Sequence, residues 1–573
     1  MVKIGPAFGD YIRLEKSQRH PSLNKTYKTR DFLLPLILLI ALLMVLSRLI
    51  FLQIIKGADY RALSDSNRTK TIAIHAPRGI IFDRDGTPLV FNVPGFRQTL
   101  NDKTKLLEKN EALKLISEGK TNLEIDSLRS YPYRDTFSHV LGYIGQISKE
   151  ELAQKEFANY KAGDLIGKIG IEKEYEGLLR GANGKELVEI DSMGKVVRKL
   201  GQTDPSPGQN ITLTLDVALQ KAAYDGAKDV KKGAVIVSNP FGEILALLSS
   251  PSFDSNLFTM NEGYFAGENS SYKSISQILL DSESQPLLNR AIGGTYPPGS
   301  TFKLVVASAG LEDKVIDKNF TVQDTGIINL GSFSFSNWYF TQYGKTDGEI
   351  NVIKGIRRSN DIFFYKLAEL VGVDKLSQFA EKFGLGKKLG IDLPGEQSGT
   401  VPTQEWKKNV IGENWYLGDT YHYGIGQGFI LTTPLQVNIW TQAIANGGVI
   451  YKPHLLKNEK LKIKNEKFLS QETVSLIREG MVESCSPGGV AWPLFEFKVK
   501  SSKLKVDQKV SIACKTGTAQ HGQENAMPHA WITLFAPAEK PEIIVTVLSE
   551  SSGEGSNVAA PIAKKILEEW FSR

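Results

Sequence analysis

Cysteine is nearly absent from this chain: only Cys485 and Cys514 occur in 573 residues. Two cysteines exclude a disulfide scaffold, and without a Cys-x-x-Cys spacing they exclude redox dithiols and the common zinc modules. Nothing local requires the two to pair, so the expectation is two buried thiols, with pairing left open should the chain be exported. Histidine is also sparse. The seven present show no His-x-x-x-His spacing, so the pattern supports no structural or catalytic metal and no cofactor. A strong charge of one sign is missing too. The net charge is +6, and four of those charges fall in residues 1–31, where seven Lys/Arg stand against three Asp/Glu. The rest of the chain has no basic stripe for nucleic acid. There is no internal repeat and no low-complexity block. With 41% hydrophobic and 23% charged residues the composition is that of a globular protein, too long for a single core.

What is present starts with an apolar run, Phe32 to Ile55, whose first fifteen residues carry no charge. As a helix it would span roughly 36 Å, enough for a bilayer. The Lys/Arg-rich tail precedes it, so the N-terminus is expected to stay cytoplasmic and the remainder to be exported. A cleaved signal peptide would need a small-x-small site after the run. Ser47-Arg48-Leu49-Ile50 continues the apolar pattern instead, which favours an uncleaved single-span anchor.

Beyond the anchor, residues 56–70 read as a polar helix. Arg78 to Val90 reads as a β-hairpin around Asp85-Gly86. The charged, leucine-punctuated stretch 101–130 predicts helix. Gly163 to Gly181 predicts a turn followed by a helix, and 184–200 predicts strand. A Pro/Gly-rich joint at 204–208 places a domain boundary near residue 210. After it come a strand at 210–215, a helix from Val217, and apolar strands at 233–237 and 244–248. Three more strands, 510–516, 530–535 and 542–549, and a helix over 558–571 close the chain. Terminal strands with helices between them predict an α+β domain, one sheet carrying an inserted helical region. Thr433-Pro434-Leu435-Gln436 has the form of a capped helix start.

The chemistry lies in three short motifs. Ser-x-x-Lys occurs six times, starting at Ser22, Ser117, Ser192, Ser270, Ser300 and Ser502, so the spacing alone decides nothing. Only Ser300 follows a turn signal, Pro297-Pro298-Gly299, and opens an apolar helical segment. That places it at a helix N-terminus with Lys303 on the same face. Ser359-Asn360-Asp361 leads into the apolar run Ile362-Phe363-Phe364-Tyr365, and Lys515-Thr516-Gly517-Thr518 lies in a strand near the C-terminus.

Taken in order, Ser300-x-x-Lys303, Ser359-x-Asp361 and Lys515-Thr516-Gly517 resemble the signature of penicillin-interacting serine enzymes. Over nearly its whole length the chain resembles a class B penicillin-binding protein of the elongation type, a peptidoglycan D,D-transpeptidase. Arg78–Gly86, Tyr131-Pro132-Tyr133, His139–Tyr143 and Gly167-x-x-Gly170-Ile171-Glu172 are similar to that family's pedestal landmarks. Tyr416-x-Gly418-Asp419 and Gly424–Gly428 are similar to segments lining its site. The resemblance implies a tail at 1–31, an anchor at 32–55, a pedestal at 56–209 and a transpeptidase domain at 210–573.

For the site, the resemblance implies Ser300 as nucleophile and a neutral Lys303 as its base, helped by burial and by the like charge of Lys515. Ser359, Asp361 and Lys515 would complete the catalytic set. Asn360, Thr516, Gly517 and Thr518 would bind substrate, a stem peptide ending in D-Ala-D-Ala or a β-lactam. The usual second triplet ends in Asn; Asp361 is similar to the elongation-type members. Some relatives place zinc just before this triplet, whereas residues 324–358 here contain neither His nor Cys. Only about forty residues separate Phe91 from Tyr131, so the pedestal head looks reduced. Residues 56–210 are too short and too β-rich for a glycosyltransferase, which implies a SEDS-family membrane polymerase as partner. The competing readings are a division-type transpeptidase and a membrane-anchored class D-like β-lactamase or β-lactam sensor.

Overall fold

The computed structural model describes residues 30–573 apart from 101–102, 119–122, 192, 194, 261–262, 458–466, 501–506 and 523–525. The basic tail lies outside the described residues, save its last two positions. The chain falls into two compact units. One takes residues up to Ile72 together with Glu186–Gln202, and the other takes Ala73–Lys185 with Thr203–Arg573.

In the first unit the helix Arg30–Ile50 runs on through a π-turn, Phe51–Ile55. Phe32–Ile55 is 24 residues long, has a mean hydropathy of 2.7, and among the described residues none packs on it closely enough to bury a residue of its apolar window. Such a helix is long and apolar enough to cross a membrane. The expected polar helix follows as Gly57–Arg68. Strands Thr69–Ile74, Gly184–Ile190 and Val196–Thr203 form one sheet in that order.

In the second unit the hairpin at Asp85-Gly86 forms as expected, pairing Ile81–Phe82 with the start of the long strand Pro88–Leu100. The helix predicted over 101–130 is mostly absent. Lys103–Glu108 and Glu124–Ser130 are both strands antiparallel to Pro88–Leu100, and among the described residues of this stretch only Lys109–Ser117 is helical. Tertiary burial overrides local propensity here: Leu107 and Leu128 are almost fully buried, and strand pairing places them there. The glycine-rich stretch gives a strand, Leu165–Ile169, before two short helices, Gly170–Glu174 and Glu176–Leu179. Buried Glu172 accepts from Arg78 Nε at 2.6 Å and Arg129 Nε at 2.7 Å, which ties three separate segments together.

The larger body is built on helix α1 (Val217–Gly226), strands β1 (Gly233–Ser238) and β2 (Ile244–Ser250), and helices α2 (Lys303–Glu312), α3 (Asp361–Val371), α4 (Pro434–Ala445) and α5 (Gln471–Ser484). Strands β3 (Ala513–Ala519), β4 (His529–Ala536) and β5 (Ile543–Ser549) and helix α6 (Ala559–Phe571) complete it. The sheet order is β2-β1-β5-β4-β3, antiparallel throughout. Both faces are covered, so the strands read as continuous apolar runs. Along β5, Val545 and Val547 face the core with α1 and α6, while Ile544 and Leu548 face the core with α2, α3 and α4, the period of two expected of a strand. Helix α4 starts with the capping box read from sequence: Gln436 N donates to Thr433 Oγ1, and Thr433 N to Gln436 Oε1.

The cysteines correct the expectation of two free thiols. Cys485 follows α5, Cys514 lies in β3, and they form a disulfide with Cα atoms 5.8 Å apart. The pairing arises from α5 packing beside β3, a tertiary contact that no local pattern encodes.

Candidate active site

Tyr296 bridges to Thr432 in an extended segment, and Pro297-Pro298 then turns it into the 3-10 turn Gly299–Thr301 that runs straight into α2. Ser300 is half-buried at this junction, the helix N-terminal place expected of it. Gly299 has φ +54°, and a Cβ there would stand 3.0 Å from Thr518 O and 3.1 Å from Ala519 Cβ. Only glycine allows the turn so close to β3. Gly426 backs the turn from behind: Gly299 N donates to Gly426 O at 2.9 Å, and a Cβ on Gly426 would fall 2.1 Å from Gly299 O.

Helix α2 buries Leu304, Val305, Val306 and Ala307, and Lys303 goes inward with them, 0% exposed. Its Nζ donates to Asp361 Oδ1 at 2.6 Å, to Ser359 O at 2.9 Å and to Ser359 Oγ at 3.4 Å. The ammonium therefore turns to the Ser359 triplet, where a carboxylate is a stronger acceptor for a buried cation than the Ser300 hydroxyl. Lys515, also 0% exposed, donates to Ser359 Oγ and to Thr516 O, both at 2.8 Å. Ser359 Oγ thus bridges the two lysines.

Burial pushes Lys303 below the ordinary lysine value, and the Asp361 carboxylate opposes that shift. Lys515 is held well below its ordinary value, first by burial and then by the like charge of Lys303, with Asp361 again opposing. The repulsion expected to act on Lys303 is felt by Lys515. Two ammonium groups sharing one serine and one carboxylate in a dry site favour a state in which one of them is neutral.

Ser359 ends the helix Val352–Arg358 in the left-handed region, φ 52°, and Asp361 opens α3. Asp361 Oδ2 accepts from Trp338 N at 3.0 Å. Asn360, expected to touch substrate, turns its side chain into the protein. It is fully buried, its Oδ1 caps α3 by accepting from Phe363 N at 3.0 Å, and its Nδ2 donates to Asp324 Oδ2 at 2.9 Å and Asp347 Oδ2 at 3.1 Å. Its amide is spent on structure. Thr516 and Gly517 are buried in β3 while Thr518 is exposed, and β3 is the edge strand of the sheet. Asp324, Asn337 and Trp338 were invisible to motif reading, because each lies in a segment with no recurrent spacing. Among the described residues no group of His, Cys, Asp and Glu is placed to hold a metal ion.

Residues 232–568 match the penicillin binding protein transpeptidase domain, and residues 120–213 match the penicillin-binding protein dimerisation domain. The chain is 34% identical to the peptidoglycan D,D-transpeptidase MrdA of Acinetobacter baumannii, over 96% of this chain and 88% of that one. Among solved structures it is similar to penicillin-binding protein 2 from Helicobacter pylori in complex with MreC, with TM-score 0.72, 30% identity, and 88% of this chain and 99% of that chain covered. It is also similar to a chain of a peptidoglycan synthase complex that coordinates polymerization and crosslinking, with TM-score 0.71, 28% identity, and 95% and 98% covered. With a transpeptidase match over more than half its length and a relative matched almost end to end, the chain belongs to the class B penicillin-binding proteins, in the elongation-type branch of penicillin-binding protein 2 and MrdA.

Proposed function

We propose that this chain cross-links peptidoglycan as a serine-type D,D-transpeptidase of cell elongation, with Ser300 as the nucleophile. The observation that carries this reading is the buried cluster of Lys303, Ser359, Asp361 and Lys515 beside the turn that presents Ser300. A serine hydroxyl attacks only when a base takes its proton, and a lysine with a lowered pKa supplies one at neutral pH.

In this mechanism Ser300 Oγ attacks the carbonyl carbon of the penultimate D-Ala while its proton passes to neutral Lys303. The N–H groups of Ser300 and Thr518 receive the developing oxyanion, each such donor being worth about 3–4 kcal/mol in other enzymes. The C–N bond breaks, and the leaving D-Ala amine takes its proton through Ser359. Lys515, Thr516 and Thr518 hold the terminal carboxylate of the donor. An amine from a neighbouring strand then attacks the ester, forms the cross-link and returns the proton to Ser300. A β-lactam opens its amide on the same serine and leaves the ester in place.

The division into tail 1–31, anchor 32–55, pedestal 56–209 and transpeptidase domain 210–573 follows from the same reading. The tail lies in the cytoplasm, the single helix crosses the inner membrane, and the catalytic domain stands on the far side. A SEDS-family polymerase and elongation-complex membrane proteins are the proposed partners. The MreC complex of the Helicobacter pylori relative and the likeness to a synthase complex support that choice. Labelled penicillin is expected to modify the detergent-solubilised chain, with the adduct on the Ser300 peptide by mass spectrometry, and to leave Ser300→Ala unmodified. An adduct on another side chain would refute the assignment.

A further inference from the structure

Behind the Ser359-Asn360-Asp361 turn lies a polar network that no part of the proposed mechanism uses. Asp324 is almost fully buried. Its Oδ2 accepts from Asn360 Nδ2 at 2.9 Å, Asn337 Nδ2 at 3.0 Å and Asp347 N at 2.8 Å, and its Oδ1 accepts from Gly326 N at 2.8 Å. Asn337, 0% exposed, turns its Oδ1 to Asp361 N at 3.2 Å. It immediately precedes Trp338, whose N–H holds Asp361 Oδ2. One asparagine thus accepts from the main chain of Asp361 while its neighbour donates to the carboxylate of the same residue.

The turn needs such support. Ser359 sits at φ 52°, a conformation unfavourable for a non-glycine residue that persists only where the surroundings over-determine it. Asn360 N donates to Gly355 O at 3.0 Å, and its side chain is anchored on Asp324 and Asp347. Arg358 Nε in turn holds Asp347 Oδ1 at 3.0 Å. Asn360 and Asp361, with Arg358 just before the triplet, are therefore fixed from residues 324–347, well upstream in sequence.

We propose that Asp324 and Asn337 are positioning residues for acylation, holding the Ser359–Asp361 turn so that the Asp361 carboxylate and Ser359 Oγ meet Lys303 and Lys515. This inference rests on the roles given above to Ser300 and Lys303. The charged groups around Lys303 are Asp361 on α3 and Lys515 on β3, and Asp324 acts on them only through the turn. A misplacement of about 1 Å at such a distance costs on the order of 100-fold in rate.

The test measures the acylation rate by labelled penicillin against pH in the full chain, for Asn337→Ala, Asp324→Asn, Asp361→Asn and the pair Asn337→Ala/Asp361→Asn, with thermal unfolding of each. Asn337→Ala and Asp324→Asn are expected to slow acylation about 10- to 100-fold while remaining folded. Asn337→Ala is expected to move the acid limb of the profile in the same direction as Asp361→Asn. The pair is expected to be no slower than the worse single variant, since coupled residues are non-additive. Additive losses, or an acid limb that Asn337→Ala leaves in place, would overturn the inference, as would wild-type rates in both single variants. A variant that unfolds is replaced by Asn337→Ser, which is held to the same outcomes. Ser300→Ala separates the two claims: if it still reacts, the functional reading fails; if it is inert while the network variants react normally, only this inference fails.

Discussion

Asparagine at position 361 would remove the carboxylate that meets Lys303 at 2.6 Å yet keep an oxygen for the Trp338 N–H. An opposite charge at this range raises a lysine pKa by about 1–3 units. Burial already pushes Lys303 the other way, so Asp361→Asn leaves burial unopposed. At 1.36 kcal/mol per unit, neutral Lys303 gains about 1.4–4 kcal/mol over its ammonium. If neutral Lys303 takes the Ser300 proton, the acid limb of the acylation profile moves down by about 1–3 pH units. The plateau falls at the same time, because a weaker base accepts the proton less readily. The assay is the second-order rate constant for labelled penicillin from about pH 5 to 10, the range in which such a lysine titrates. An acid limb that stays at its wild-type pH would refute the argument that Lys303 is the base and Asp361 its counter-charge.

Two further outcomes concern stability. His139 is buried, and its Nε2 lies 2.7 Å from Pro286 O; burial, and secondarily the charge of Arg290, push its pKa down to about 4. The unfolded chain takes up that proton near pH ~6.5, so the contribution is complete above that value and is lost as pH falls towards 4. The loss amounts to about 3 kcal/mol, and denaturant unfolding of His139→Asn should lack that part of the acid sensitivity; equal pH slopes in the two proteins would contradict it. The Cys485–Cys514 bridge closes a loop with a sequence separation of 29, worth about 3–4 kcal/mol on loop entropy. Reduction, or replacement of both cysteines by alanine, should lower the unfolding midpoint accordingly, and two titratable thiols in the native oxidised protein would show that the bridge is not there.

The parts of this molecule that sequence makes legible are those written in local chemistry. The apolar run 32–55, the capping box at Thr433, the hairpin at Asp85-Gly86 and the strands around Lys515 each depend on residues close together in the chain, and each appears in the structure. Ser300 could be picked from six Ser-x-x-Lys sites because Pro298-Gly299 announces a turn. The misses depend on tertiary contact. Residues 101–130 carry charges that suit a helix, yet Leu107 and Leu128 are claimed by the neighbouring strand. Cys485 and Cys514 meet because α5 lies along β3. Asn360 stands between two residues that meet Lys303, and nothing in the triplet reveals that its own side chain points to Asp324 instead. Lys303 sits one turn from Ser300, but its partner is chosen by a carboxylate 58 positions along the chain.

The strand that carries Lys515 and Thr518 is the last in its sheet, with β4 on one side only. A backbone left open along one flank is usually a liability, since any extended chain can add to it. Here the turn at Gly299 packs directly against that strand, Thr518 O lying 3.0 Å from where a Gly299 Cβ would stand, and on the proposed function the donor peptide would add to the open flank as an extended strand. Its amide groups look the same whatever side chains it bears. On the proposed function, an enzyme that read its donor this way would tolerate variety among cell-wall peptides, and would be equally unable to refuse a small molecule that offers the same amide and carboxylate.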